Sequence, residues 1–153
     1  MLKYTKRTFL QQTISLLTLS LLSGFNRVFA DWQKELFNQA SADELIDSLT
    51  NNAELMVSEA IRIKAPEIAE NGAVVPITVD TSIANVNKIS ILVDNNPSPL
   101  TSSYDLDPQL EAYVSTRVKM AKSSNIIAIV STTDNQYFTA SKSIKVTIGG
   151  CGG

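Results

Sequence analysis

From residue 59 onward, apolar and polar residues alternate with a period of two, which is typical of β-strands. Residues 60–65 read Ala-Ile-Arg-Ile-Lys-Ala and predict a half-exposed strand that Pro66 ends. The Glu-Asn-Gly run over residues 70–72 predicts a turn. Residues 75–79 alternate again, and Pro76 within them predicts an edge strand or a bulge.

Further strands are predicted over residues 88–93, 104–106, 113–120, 125–130 and 136–148. Residues 125–130 are apolar at both alternating sets of positions, as in a central strand buried on both faces. Several short strands separated by turns predict a mainly β fold, an immunoglobulin-like antiparallel β-sandwich. A body of this size can bury a sufficient core without disulfides.

Two short helical segments precede the strands. Trp32, Leu36 and Phe37 fall at helical spacing. The run Ser41-Ala42-Asp43-Glu44 reads as a capping box that opens a second helix, with apolar residues on one face and Asn51-Asn52 at its end. We expect these helices to pack on the sandwich or to extend from it.

The first 30 residues read as a cleavable export signal. Basic residues at Lys3, Lys6 and Arg7 precede an apolar stretch over 14–25, and Val28-Phe29-Ala30 predicts cleavage before Asp31. The competing interpretation is a membrane anchor, but the apolar stretch is shorter than the roughly 20 residues that span a bilayer. Residues 5–11 resemble a twin-arginine motif with lysine in place of the first arginine, so both the twin-arginine and the general secretory route stay open. Both routes lead to the periplasm.

The net charge of the chain without its leader limits the kinds of partner that it can bind. The leader holds four basic residues and no acid, so residues 31–153 carry nine basic and fifteen acidic residues, a net charge of −6. An acidic surface argues against nucleic acid and against anionic membranes as partners. The chain contains no histidine, which excludes Ser-His-Asp and Cys-His catalysis and argues against a metal site at its single thiol. We therefore expect no catalytic residue, no metal and no cofactor.

Other residues that could take part in catalysis or binding have ordinary structural explanations. Asp105 and Asp107 precede Pro108 and are expected to cap a turn. Four aromatic residues at strand spacing are expected in the core or at an interface rather than as a stacking site: Tyr104, Tyr113, Tyr137 and Phe138. The proline-containing loop over residues 95–100 is either a rigid connection or a binding loop.

The chemistry of the chain is concentrated in its last five residues. Cys151, the only cysteine, is surrounded by Gly149, Gly150, Gly152 and Gly153. Glycine gives the backbone the most conformational freedom and leaves the sulfur unshielded. We expect residues 149–153 to form a flexible arm on the final strand. No side chain on it can act as a general base, so another protein's active site must activate the thiol.

Three less specific interpretations of this tail remain. It is compatible with a frayed terminus, with a linker added for expression, and with an accidental intermolecular disulfide through Cys151. Prenylation is excluded, because its cysteine must stand fourth from the end and Cys151 stands third.

The chain resembles the SoxY family of sulfur carriers over nearly all of residues 31–153. The resemblance lies in residues 61–76, 96–100, 115–120 and 146–148, followed by the Gly-Gly-Cys-Gly-Gly tail. It implies an immunoglobulin-like sandwich that forms a heterodimer with SoxZ in the periplasm. It also implies that Cys151 is the attachment site for sulfur intermediates, and that the protein is a carrier rather than an enzyme. The implied transient partners are SoxXA, SoxB and, where present, the sulfane dehydrogenase SoxCD.

These patterns lead to three domains and three functional hypotheses. We predict an export signal over 1–30, a carrier domain over 31–148 and a swinging arm over 149–153. The first functional hypothesis is a non-catalytic carrier of sulfur intermediates on Cys151. The second is a structural or adhesive domain joined to a partner by a Cys151 disulfide. The third, a redox enzyme with Cys151 as nucleophile, lacks a histidine and a resolving cysteine.

Overall fold

A computed structural model describes residues 34–37 and 41–148. Within these residues, two helices, α1 (Lys34–Phe37) and α2 (Ala42–Thr50), precede nine strands. The strands are β1 (Leu55–Val57), β2 (Ile61–Lys64), β3 (Ile68–Asn71), β4 (Val75–Thr81), β5 (Val86–Val93), β6 (Leu100–Asp105), β7 (Tyr113–Val118), β8 (Ser124–Thr132) and β9 (Tyr137–Ile148). No helix within these residues is long and apolar enough to cross a membrane. The predicted export signal lies outside the described residues.

The strands form two sheets, which confirms the predicted mainly β sandwich. The larger sheet has the order β1-β9-β8-β5-β6, with β3 also paired to β9, and the smaller has the order β2-β4-β7. Most neighbouring strands are antiparallel, as predicted, but β1 and β3 both run parallel to β9. Neither of these two short strands was predicted. The turn expected at residues 70–72 begins later, because Glu70 and Asn71 belong to β3.

The main core fills the space between the two sheets. Ile77 and Val79 of β4 face Ile89, Ile91 and other buried side chains of the larger sheet. Alternation explains this arrangement, since every second residue of a strand points to the same face. Asp80 projects from the opposite face of β4 and lies between two basic residues of β2, Arg62 and Lys64.

A second apolar cluster lies on the outer face of the larger sheet. Leu45 of α2 is completely buried there against Leu92, Leu100 and Ile129. Strands β5 and β8 are therefore covered on both faces, which accounts for their continuous apolar runs and confirms the prediction of a central strand at residues 125–130. The helix packs on the sandwich rather than extending from it.

The ends of α2 follow the predicted capping pattern. The Ser41 hydroxyl accepts a hydrogen bond from the Glu44 amide at 3.5 Å. Asn51 ends the helix in the left-handed conformation, with φ 53°. Trp32, the first apolar residue predicted for the preceding helix, lies outside the described residues.

Pro76 is accommodated by the length of its neighbouring strand. β4 is the middle strand of the smaller sheet, but β2 pairs with it only from Thr78 to Thr81. On that side, Pro76 therefore has no strand residue opposite it and needs no amide hydrogen. The prediction of an edge position holds locally, although β4 as a whole is central.

Candidate functional site

The predicted attachment site, Cys151, and the glycines at 149, 150, 152 and 153 lie outside the described residues. The structure describes the strand that leads into them. β9 ends at Ile148, so the Cα of Cys151 is three steps of about 3.8 Å beyond it.

One edge of the end of β9 is held by β3. The register pairs Lys145 with Ile68 and Ile148 with Asn71. The Lys145 amide donates to the Glu67 carbonyl at 2.9 Å, and the Gly72 amide donates to the Ile148 carbonyl at 2.8 Å. Backbone hydrogen bonds therefore continue to the last residue before the glycines.

The other edge of β9 is held by a side chain instead of a strand. β8 begins at Ser124, opposite Ile144, so it does not extend alongside the last four residues of β9. The hydroxyl of Ser123 accepts a hydrogen bond from the Val146 amide at 2.9 Å and donates one to the Val146 carbonyl at 3.4 Å. The Lys145 amide bonds on the β3 side and the neighbouring Val146 amide bonds to Ser123, so these two residues mark the two edges of β9.

Burial decreases steadily along this segment. Ile144 is 1% exposed, Val146 is half-buried and Ile148 is 69% exposed. The end of β9 is thus outside the apolar core while its backbone is still bonded to the body.

The loop over residues 95–100 is a rigid connection that supports the same end of the molecule. The side-chain amide of Asn96 donates to the Lys119 carbonyl at 2.7 Å, and its oxygen accepts from the Ala121 amide at 2.9 Å. The Ser98 hydroxyl donates to the Phe37 carbonyl at 2.6 Å. These contacts are all internal, and they favour the first of the two interpretations of this loop.

Asp94, at the start of that loop, is a structural carboxylate. It accepts hydrogen bonds from the Ser124 hydroxyl and from the backbone and side-chain amides of Asn125. Partial burial raises the pKa of Asp94, but these hydrogen bonds outweigh that effect and hold the pKa below its ordinary value. Asp94 is therefore ionised at neutral pH and joins the loop to the start of β8.

The other candidates from the sequence do not form a site. Asp107 accepts a hydrogen bond from the Gln109 amide at 2.9 Å, which confirms its predicted role in a turn. Asp105 is instead the last residue of β6 and pairs with Lys88, so its predicted role in that turn is wrong. Tyr104 and Phe138 pack against the main core, whereas Tyr113 is half exposed. Tyr137 is buried, and its hydroxyl accepts a hydrogen bond from the Asn51 side chain at 3.5 Å. Tyr137 and Phe138 are consecutive in β9 and point to opposite faces, so the aromatic residues do not make one stacking surface.

The family model of the sulfur oxidation protein SoxY matches residues 46–151, which is more than two thirds of the chain and extends to Cys151. This chain belongs to the SoxY family. A comparison with curated proteins gives no match.

Solved structures support the SoxY assignment and the fold. The sulfur carrier protein SoxY from Chlorobium limicola f. thiosulfatophilum is 42% identical, with a TM-score of 0.64, over 69% of this chain and 96% of that one. A superoxide reductase (neelaredoxin) from Ignicoccus hospitalis is 19% identical, with a TM-score of 0.52, over 76% of this chain and 99% of that one. The second similarity shows that the two proteins share a fold and nothing more.

Sequence reasoning missed the residues that hold the end of β9. Ser123 stands in a polar run, Lys122-Ser123-Ser124-Asn125, that looks like an ordinary loop before a strand. Its partner Val146 is 23 residues away. One signal in the sequence could have pointed to them. β9 was predicted to run to residue 148, whereas the neighbouring strand was predicted to begin only at residue 125. This difference in length leaves the end of β9 without a partner strand on that side.

Proposed function

We propose that this SoxY protein is a periplasmic carrier of sulfur intermediates in thiosulfate oxidation, and that the intermediates are bound covalently to Cys151. The match of the SoxY family model up to Cys151 carries the proposal. The described structure supports it, because the backbone of β9 is hydrogen-bonded up to Ile148, immediately before the glycines.

The chemistry begins with an oxidative coupling on the thiol. The Cys151 thiolate and the outer sulfur of thiosulfate form an S–S bond, and two electrons pass to a c-type cytochrome, SoxXA. The product is a cysteine S-thiosulfonate, Cys–S–S–SO₃⁻. Because the chain has no histidine to act as a base, the partner enzyme deprotonates the thiol. The same partner enzyme accepts the electrons.

Hydrolysis then releases sulfate. Water attacks the terminal sulfonate at SoxB, the bond between the sulfonate and the sulfane sulfur breaks, and the electron pair stays on the sulfane sulfur as a persulfide. Where SoxCD is present, it oxidises that sulfur further. This protein contributes the attachment atom and the arm, so it is a carrier and not an enzyme.

Export and assembly complete the proposal. The leader over residues 1–30 directs the chain to the periplasm, where Cys151 has no internal partner with which to form a disulfide. The carrier domain forms a one-to-one heterodimer with SoxZ. Co-expression followed by static light scattering tests this: a heterodimer mass is expected, and a stable monomer in the presence of SoxZ contradicts it.

Mass spectrometry of the intact protein from thiosulfate-grown cells tests the function directly. The expected result is a set of adducts on Cys151 that includes S₂O₃ and single added sulfur atoms and that disappears on reduction. If Cys151 carries only a stable disulfide to another protein, the molecule is a structural or adhesive domain and the carrier function is wrong.

A further inference from the structure

The outer face of the smaller sheet is open to solvent and carries an excess of positive charge. Alternate residues of β2, β4 and β7 point away from the core, and the exposed members of this set include three cations and no acid. We use the name basic face for six of these outward residues: Arg62, Lys64, Thr78, Tyr113, Ser115 and Arg117.

The single carboxylate of these three strands lies beneath the basic face. Asp80 is buried, whereas the side chains of Arg62 and Lys64 are 70% and 66% exposed. Arg62 Nε donates to Asp80 Oδ2 at 2.7 Å, and Lys64 Nζ lies 3.2 Å from Asp80 Oδ1. One carboxylate therefore holds two cations over the sheet and leaves their remaining N–H groups to solvent.

Arg117 adds a third positive charge to the face. It is exposed on β7, opposite Pro76, and no carboxylate of the described residues pairs with it. In the next row of the sheet, the Thr78 hydroxyl donates to the Ser115 hydroxyl at 3.2 Å. These short side chains leave the space between Arg117 and the cations of β2 free for groups of another molecule.

Tyr113 lies at the other end of the same strand. It is 51% exposed and stands opposite Asp80 in the register of β4 and β7. Tyrosine and arginine are enriched in protein–protein interfaces, where they contribute much of the binding energy. The composition of the basic face is therefore that of a contact surface for a protein.

The opposite side of the sandwich carries the opposite charge. There α2 covers the larger sheet through Leu45, and it exposes Asp43, Glu44 and Asp47 to solvent. Residues 31–153 as a whole have a net charge of −6, so the basic face is a local exception. An acidic partner is attracted to this face and repelled by α2, which orients its approach.

We propose that the basic face is a transient docking surface for an acidic protein, an enzyme that acts on the carrier; this inference rests on the carrier function proposed above. Carboxylates of the enzyme bind the free N–H groups of Arg62 and Arg117, and Tyr113 packs beside them. Three strands give a face of roughly 10 Å by 20 Å, well under the ~800 Å² per partner of a stable interface. Complementary charge mainly raises the association rate, which suits a carrier that must leave each enzyme.

Charge reversal on the face tests the proposal. Arg117→Glu changes the charge without breaking an ion pair of the described residues. Lys122→Glu is the matched control, because Lys122 is an exposed lysine in the turn after β7, outside the basic face. Tyr113→Ser removes contact area and leaves the charge unchanged. Each variant of the mature chain is studied with SoxZ, and purified SoxXA and SoxB are the probes.

Surface plasmon resonance measures the rates of association and dissociation. For SoxXA or SoxB we expect Arg117→Glu to lower the association rate about ten-fold at low salt, relative to Lys122→Glu. The difference should shrink below about two-fold in about 1 M salt, where the Debye length is about 3 Å. Tyr113→Ser should accelerate dissociation and keep the salt dependence of the parent protein.

Acidic and basic peptides test the face without any enzyme. Octaglutamate, titrated into the isotope-labelled protein, should shift the amide resonances of Arg62, Lys64 and Arg117. Octalysine should instead shift those of Asp43 and Asp47 on α2. The pair of peptides thus compares the two charged sides of the sandwich in one protein.

The outcomes separate this inference from the proposed function. Equal association rates for Arg117→Glu and Lys122→Glu with both enzymes overturn the inference. Weaker binding of SoxZ in Arg117→Glu, or loss of self-association, also overturns it, because the face is then a subunit contact or a contact between copies. If the parent protein accepts no sulfur adduct, the proposed function fails. The octaglutamate titration then still decides the inference, because shifts outside the basic face overturn it and shifts confined to the face support it.

Discussion

The Gly72 amide bonds to the Ile148 carbonyl at 2.8 Å, three residues before Cys151. Ile148 is 69% exposed, so this residue is outside the core but still tied to the body. Gly72 is buried, and its carbonyl accepts a hydrogen bond from the Met120 amide. Through these two bonds, the last described residue of the chain is connected to the main core.

Replacing the sulfur of Cys151 should abolish the carrier function and leave folding unchanged. In Cys151→Ser we expect no thiosulfate-dependent electron release, because the hydroxyl cannot form the S–S bond. The free energy of unfolding should change by less than about 0.5 kcal/mol, as for a substitution outside the core. Cytochrome reduction and chemical denaturation measure the two effects. A variant that unfolds or no longer binds SoxZ contradicts the arm hypothesis.

The glycines beside the thiol should matter for access. The double substitution Gly150→Val and Gly152→Val adds β-branched bulk and restricts the backbone on both sides of the sulfur. We expect the unfolding midpoint to stay the same and turnover by the partner enzymes to fall at least ten-fold. The rate of Cys151 alkylation by iodoacetamide serves as the control and should be preserved. Unchanged turnover would show that the glycines are incidental and would favour a frayed terminus.

Asp80 should make the stability of the protein depend on pH. Its carboxylate accepts a hydrogen bond from Arg62 Nε at 2.7 Å and lies 3.2 Å from Lys64 Nζ. The hydrogen bond from Arg62 lowers the pKa of Asp80, burial opposes the shift, and Lys64 adds to it. A lowered pKa in the folded state stabilises the protein above the unfolded-state pKa of about 3.9, and this contribution is lost as the pH falls through the folded pKa.

In Asp80→Asn we therefore expect a lower free energy of unfolding at pH 7 and a smaller loss of stability on acidification. Urea denaturation at several pH values measures both. Asp134→Asn, at an exposed position in the turn before β9, is the control and should behave like the parent protein. If the difference between Asp80→Asn and the parent does not shrink at acidic pH, the ion pairs are not its cause.

Leu45 should anchor α2 to the larger sheet. It is fully buried among Leu92, Leu100 and Ile129, so Leu45→Ala leaves a cavity and should cost about 2–5 kcal/mol. Leu110→Ala is the matched control, because Leu110 is 68% exposed and its truncation should cost less than about 0.5 kcal/mol. Equal denaturation midpoints for the two variants would show that the helix contributes little to stability.

Much of the fold could be predicted from local patterns. The period-two alternation located most of the longer strands, and the uninterrupted apolar run at residues 125–130 identified the central strand. The cap at Ser41 and the end at Asn51 also agree with the structure. Each of these signals depends on residues within a few positions of one another.

The strands β1 and β3 could not be predicted in the same way. β3 has a single buried residue, Ala69, and comes shortly after a proline, so its own pattern is weak. Its extended conformation comes from parallel pairing with β9, whose Thr147 hydroxyl reaches the Glu70 carbonyl 77 residues away in sequence. No local propensity reports a partner at that distance.

The chemical inventory of the carrier can be read from its amino-acid sequence: one thiol, four glycines around it, no histidine, and a sandwich scaffold before them. These properties depend on composition and on short-range periodicity, which need no tertiary contact. The way in which the end of β9 is held emerges only in the folded chain, because Ser123, Gly72 and Val146 come from distant parts of it. Their hydrogen bonds exist only after the two sheets have packed and brought the turn after β7 beside the last strand.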